Sequence, residues 1–359
     1  MSDKFTAQER KQARAASPIL LSSSPHIAFP INTTLIMGIV LISLLPVTIF
    51  GIIIFGLHAL LNVVVSIAAA IAGEALFRFV TRQQVRAKDM SAALTGLLLA
   101  LVIPPNVPLW MTALGSVFSV IVAKEFFGGL GANVFNPALI GRGFLLMSFP
   151  AAMTNWRLPA APLLGSWTAD AVSGATPLGI IAKGGSVADV GKSLAEAGLS
   201  GPIGQLSAES YWPTIKAMFF GWRAGSIGET SIFLILAAAF LLIITKVIDW
   251  RAPVSMIASC FLCVWALGLD PLFHVLSGGL IFGAVFMATD YVTAPVTSKG
   301  KIIFGVGAGV ITALIRKFGV YPEGVCYSIL IMNAATPFLN KLLPRKYGYV
   351  PGGLKGGHK

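Results

Sequence analysis

From Thr33 onward the chain is a succession of apolar runs, several about 20 residues long, divided by short polar or Pro- and Gly-containing breaks. A hydrocarbon core of about 30 Å is crossed by roughly 20 apolar residues in helix, and by fewer where a helix is interrupted. With 56% hydrophobic and only 11% charged residues, against about 25% charged in a typical soluble domain, the composition agrees with an all-α polytopic membrane protein. Ten segments qualify, near 33–56, 59–80, 90–103, 109–124, 136–150, 229–247, 252–268, 273–289, 301–316 and 323–340. The third and fifth are short and punctuated by Pro104-Pro105-Asn106 and Asn136-Pro137, so they read as broken or half-length helices. About thirty polar and mixed residues precede the first segment, with no small-residue cleavage site behind it, which makes it a retained span rather than a signal peptide.

Charge orients the spans. The net charge of +12 sits in the tails and short loops, without a basic stripe interleaved with aromatics, and so suggests membrane topology rather than nucleic acid. Lys4, Arg10, Lys11 and Arg14 precede the first span; Arg78, Arg82, Arg86 and Lys88 follow the second; Lys341, Arg345, Lys346, Lys355 and Lys359 end the chain. Ten crossings put all three groups on one side, the cytoplasm by the positive-inside rule. The expected organisation is a cytoplasmic tail (1–30), a first membrane repeat (31–150), an extracytoplasmic segment (151–228), a second membrane repeat (229–340) and a cytoplasmic tail (341–359). The segment 151–228 is charge-balanced, and Trp156, Trp167, Trp212 and Trp222 near its ends suit the membrane interface. Arg316 and Lys317 fall on the outer side and run against the rule.

The chain also resembles itself. Phe127-Gly128 leads to Val134-Phe135-Asn136-Pro137-Ala138-Leu139-Ile140, and at the same spacing Phe318-Gly319 leads to Val325-Cys326-Tyr327-Ser328-Ile329-Leu330-Ile331. Because five crossings reverse the starting side, this correspondence implies a five-plus-five inverted repeat, an arrangement that places sites near broken helices.

The most specific chemical motif is Asp170-Ala171-Val172-Ser173-Gly174-Ala175-Thr176-Pro177, outside the apolar segments. The Thr176 hydroxyl can be joined to the phosphate of FMN as a phosphoester, with Asp170 and Ser173 of the motif beside it in the sequence, and Gly174 and Ala175 leave the backbone open to a modifying enzyme. Pro177 disfavours helix at Thr176 and suits the first position of a following helix. Thr176 is then an N-cap, with an attached phosphate near free N–H groups. An ordinary Thr-Pro helix start explains the same local pattern.

These residues, together with Asn133-Val134-Phe135-Asn136-Pro137-Ala138-Leu139, Gly225-Ser226-Ile227-Gly228-Glu229-Thr230 and Ala288-Thr289-Asp290-Tyr291-Val292-Thr293-Ala294-Pro295, occur in the order seen in the RnfD/NqrB family, which the chain resembles from about Ile31 onward. The family comprises the Rnf complex's D component and the B component of sodium-pumping NADH:quinone reductases. The modest N-terminal tail is more similar to the Rnf member, and Ala171 replaces a glycine common in the motif. The resemblance implies ten helices in a urea-transporter-like inverted repeat in the bacterial inner membrane. It further implies covalent FMN on Thr176, installed by a flavin transferase, and a second, non-covalent riboflavin in the cytoplasmic half near Asn133 and Asn136. The partners implied are the other Rnf proteins, RnfA, RnfB, RnfC, RnfE and RnfG. Electrons pass in that family from reduced ferredoxin to NAD, through the flavin of RnfG, with sodium or proton transport. The Asn133 and Asn136 amides, three residues apart, suit the edge of a flavin ring, and Asn136 equally suits the cap of the helix that Pro137 begins.

Acids at depth are costly and usually functional. Asp290 is the candidate for an ion path, whereas Glu74, Glu125, Glu229, Asp249 and Asp270 lie near helix ends and suit interface or pairing roles, Glu74 with Arg78 among them. Cys260, Cys263 and Cys326 read as buried small apolar residues rather than metal ligands. His26, His58, His274 and His358 have no metal-ligand spacing, and no catalytic residue or metal site is expected. A urea-transporter-like permease, or a structural component with a vestigial flavin site, is the competing reading.

Overall fold

The computed structural model describes residues 32–83, 89–158, 173–196, 211–319, 321 and 323–341. The tails 1–31 and 342–359, Arg86, Lys88, Trp167, Asp170, Ala171, Glu209 and the side chains of Ser173 and Glu196 lie outside them.

Every apolar segment read from the sequence contains helix. The first five are α1 (Thr33–Phe55), α2 (Leu57–Val80), α3 (Ser91–Val102), α4 (Leu109–Ile121) and α5 (Pro137–Ser148). A turn, α6 (Pro150–Met153), leads to a two-stranded antiparallel ribbon of β1 (Trp156–Arg157) and β2 (Ser173–Gly174), in which Trp156 pairs with Gly174. Three helices follow, α7 (Pro177–Ala182), α8 (Val187–Glu196) and α9 (Tyr211–Phe220). The second apolar half holds α10 (Ile232–Ile244), α11 (Arg251–Ala266), α12 (Pro271–Leu276), α13 (Leu280–Phe282, continuing as a π turn over Gly283–Met287), α14 (Ser298–Phe318) and α15 (Val325–Leu339).

The segments at Thr33–Phe55, Leu57–Val80, Leu109–Phe127 and Ser298–Phe318 are long and apolar enough to cross a bilayer unaided. Large apolar side chains such as Ile42, Phe79, Phe240, Trp265 and Phe338 are exposed on the helices, as expected where lipid rather than water covers them. The chain is a polytopic, essentially all-helical membrane protein.

Small residues set the helix contacts. A Cβ on Gly96 of α3 would stand 2.7 Å from the Ser66 carbonyl oxygen of α2, and one on Gly305 of α14 would stand 2.5 Å from the Ala252 carbonyl oxygen of α11. Apolar chains gain little from leaving lipid, so backbones this close gain instead from dispersion and interhelical hydrogen bonds. Ser66 Oγ donates to the Gly96 carbonyl at 2.6 Å and lies 2.8 Å from Ser116 Oγ.

Two breaks in the helices expose backbone groups, and buried side chains satisfy them. Between α3 and α4, Asn62 Nδ2 donates to the Pro105 and Val107 carbonyls at 3.0 and 3.2 Å, while Thr112 Oγ1 donates to Asn62 Oδ1 at 2.6 Å. The second break lies inside the eighth segment, 273–289, for which sequence reading named no interruption. Gly278 and Gly279 have φ values of 63° and 64°, left-handed conformations that glycine adopts at little cost, and they part α12 from α13. Arg316 Nη1 donates to the His274 carbonyl and Nη2 to Ser277 O at 2.9 Å; Arg223 donates to the Leu276 carbonyl. Arg316 is only 5% exposed. It is an internal guanidinium that caps a severed helix, which is why it need not obey a rule about loop charges; Lys317 beside it is exposed.

Candidate functional site

Thr176 stands at the start of α7. Its backbone is extended, Pro177 occupies the first helical position, and its Oγ1 accepts from Gly179 N at 3.1 Å. Only six residues long, α7 has little macrodipole to offer, and one of its free N–H groups is already taken by the threonine itself. What holds the threonine in place is packing. Leu178 is 2% exposed, and its side chain fills the position where a Cβ on Gly278 would lie, beside Arg316. The β1–β2 ribbon holds the preceding residues, and a Cβ on Gly174 would come within 2.6 Å of Leu158.

Thr176 opens onto a cavity of about 330 Å³, within the range of ordinary ligand pockets, about 300–1,000 Å³. Ala175, Gly179 and Lys183 line it with the threonine; Trp156, Tyr321 and Tyr327 add aromatic side chains; Arg142 and Leu146 of α5 and Glu323 before α15 line it as well. The Arg142 guanidinium donates through Nη2 to Glu323, and its Nε is buried without a hydrogen-bond partner.

Asn133, Asn136 and Asp290 meet at the other end of α5. All three line one small cavity of about 50 Å³ together with Lys124 and Ser91. Asp290 also lines a second of about 50 Å³ and a third of about 250 Å³ bounded by Asp249, Tyr291 and Lys301. The asparagines differ in use. Asn136 Oδ1 accepts from Ala138 N and Leu139 N at 3.1 and 3.3 Å, so it is the cap of α5. Asn133 Nδ2 donates to Phe135 O at 3.2 Å, leaving its Oδ1 buried and unsatisfied. Asp290 accepts from Thr293 Oγ1 at 3.0 Å. As it stands the Asn133 cavity is too small for a flavin ring, and only Asn133 Oδ1 asks for a donor.

The other acids are committed. Glu74 lies 2.7 Å from Lys124 and 3.3 Å from Arg78, which also meets Glu125 at 3.1 Å. Glu229 closes a capping box with Ser226, and Asp270 caps α12 by accepting from Phe273 N at 3.0 Å. Among the described residues no group of His, Cys, Asp and Glu is arranged to hold a metal, and the three cysteines are free thiols.

Sequence reading missed the pair Arg142–Glu323. The signal was present: an arginine inside the apolar run 136–150 is itself an expensive residue in lipid. Glu323 was hidden by its position at the mouth of the tenth segment.

The model of the NQR2, RnfD, RnfE family matches residues 20–348. The chain belongs to that family. Among relatives of this RnfD-type chain is the D component of the proton-translocating ferredoxin:NAD(+) oxidoreductase complex of Clostridium ljungdahlii, 45% identical across 91% of this chain and 96% of that one. The corresponding component of the Na(+)-translocating ferredoxin:NAD(+) oxidoreductase complex of Acetobacterium woodii is 38% identical across 92% and 95%. That of the ion-translocating oxidoreductase complex of Stutzerimonas stutzeri is 38% identical across 86% and 90%.

Proposed function

We propose that this RnfD-type chain is the flavin-carrying, electron-transfer component of an ion-translocating ferredoxin:NAD oxidoreductase complex of the Rnf type. The observation that carries the reading is the position of Thr176, a helix-capping hydroxyl that lines a cavity of about 330 Å³ together with Trp156, Tyr321 and Tyr327. FMN, esterified through its phosphate, supplies one- and two-electron chemistry that no protein side chain here offers. The chain's own part is to fix position and surroundings: Leu178 against Gly278 anchors the attachment point, Trp156, Tyr321 and Tyr327 offer faces for stacking, and Arg142 offers guanidinium N–H groups. The D components of complexes from two organisms, matched nearly end to end, support membership in such a complex. One is named for protons and the other for sodium, so the family leaves the ion open.

The ten helical segments are proposed to form a five-plus-five inverted repeat in the inner membrane, with both termini cytoplasmic. Two parallels support it: α2 packs on α4 as α11 packs on α14, and α5 meets α15 across the two halves. The second flavin is proposed at Asn133, whose free Oδ1 suits a ring N–H; its pocket needs the adjoining cavities at Asp290 to merge before a ring enters. Asp290, shared by all three cavities, is proposed to lie on the ion path.

Intact-mass measurement of the chain from the purified complex tests the central reading. An FMN adduct is expected in the natural chain and absent after Thr176→Ala, with in-gel flavin fluorescence lost from the same band. A natural chain of unmodified mass overturns it.

A further inference from the structure

An arginine placed in an apolar helix costs about 2.5–3.5 kcal/mol at mid-membrane on insertion scales, and a buried ion pair often stabilises no better than apolar residues of equal volume. Arg142 and Glu323 form such a pair, with side chains 11% and 20% exposed. Stability therefore does not account for them. Their position does more: both line the cavity that Thr176 also lines, and Arg142 and Lys183 are the cations among its lining residues. Arg142 spends Nη2 on Glu323 and keeps Nε without a partner. Glu323 is held at the turn by Gly324, whose φ is 59° and whose Cβ, if present, would stand 3.0 Å from Ile315. The carboxylate thus cannot easily follow the guanidinium elsewhere, whereas the long arginine side chain can turn toward an occupant.

We infer that Arg142 and Glu323 are an opposed pair that sets the electron affinity of the flavin on Thr176, the guanidinium contacting the ring and raising its affinity for electrons, the carboxylate restraining the guanidinium and lowering it. This rests on the proposal that Thr176 carries FMN. The physics is elementary: a fixed positive charge favours the electron-richer state of a neighbour and a fixed negative charge opposes it, and burial leaves both weakly screened. Partial neutralisation within the pair makes the two contributions separable by substitution.

The test is a spectroelectrochemical titration of the purified complex, following the midpoint potential of the covalently held flavin, with intact mass recorded for every variant. Arg142→Gln is expected to move the potential down, Glu323→Gln to move it up, and Arg142→Lys to restore most of the natural value. A structural role would move both in one direction or neither. Should Arg142→Gln fail to accumulate because it strands a buried carboxylate, Glu323→Gln decides alone, and the double variant Arg142→Gln/Glu323→Gln, which buries no charge, is expected near the natural potential. An FMN adduct of full occupancy with unmoved potentials, or with shifts of the same sign, overturns this inference while leaving the flavin reading intact. Absence of the adduct from the natural chain overturns the flavin reading and this inference with it.

Discussion

Leu178 lies where a side chain on Gly278 would have to go, so the helix that begins at Thr176 is seated directly on the break between α12 and α13. A left-handed glycine in the second apolar half thereby seats the helix whose first cap is the residue proposed to carry the flavin.

Gly278→Ala is expected to unseat that helix. The substitution combines a left-handed backbone, about 1–2 kcal/mol for a residue with a Cβ, with overpacking against Leu178 and Arg316, about 1–3 kcal/mol. The thermal midpoint in detergent should fall and the fraction of chain carrying the FMN adduct should drop. A fully modified, equally stable variant contradicts the anchoring role.

Lys124→Met should destabilise strongly, by about 3–5 kcal/mol, because it strands Glu74 at a buried site with only Arg78 left to share between two carboxylates. The double change Lys124→Met/Glu74→Gln, which removes one charge of each sign, should recover most of the loss. Thermal unfolding of the three variants makes the comparison, and equal destabilisation by single and double changes would contradict it.

Asn62→Leu removes the side-chain donor to the Pro105 carbonyl and leaves the Val107 carbonyl with His58 Nε2 at 3.1 Å, at a cost of about 1–3 kcal/mol for each buried group left unmet. Hydrogen exchange at the break between α3 and α4 should quicken while α11 and α14, far along the chain, keep their protection.

Asp290→Asn is expected to lower ion transport into vesicles more than it lowers flavin content. Transport at the natural rate removes Asp290 from the ion path.

Asp249, in the turn before α11, is pushed up by partial burial, yet the Arg251 N–H, Lys301 at 3.1 Å and the Arg251 guanidinium hold it below the ordinary carboxylate range. A carboxyl whose folded value is the lower one contributes stability above the unfolded value, near about 3.9, and loses it as pH falls through the folded value. The acid limb of a melting-temperature profile should therefore flatten below about pH 4 in Asp249→Asn. An identical acid limb in the two chains counts against the assignment.

Much of this molecule was legible in its sequence. Helix in the ten apolar runs follows from hydrophobic length alone, and the capping of α7 by Thr176 follows from a hydroxyl preceding proline. The break at Gly278 was not, because two glycines in an apolar run read equally as close-packing residues, and only their backbone angles distinguish the roles. The buried Arg316 misled loop counting for a related reason: sequence position says that it is near a helix end, whereas its partners are the carbonyls of another helix. Asn133 and Asn136 look alike in sequence and diverge in the fold, since one amide is consumed by the helix it begins and the other retains an unmet oxygen.

Helix α5 carries Asn136 of the Asp290 cavity at its N-terminal cap and, six and ten residues further on, Arg142 and Leu146 of the Thr176 cavity, about 9 and 15 Å along the axis at 1.5 Å per residue. A helix of this kind neither stretches nor shortens appreciably, so the spacing between these residues of the two chambers is a constant of manufacture. For the two flavins proposed, any regulation of transfer would come from neighbouring groups or partner proteins that approach and withdraw, with α5 serving as the ruler.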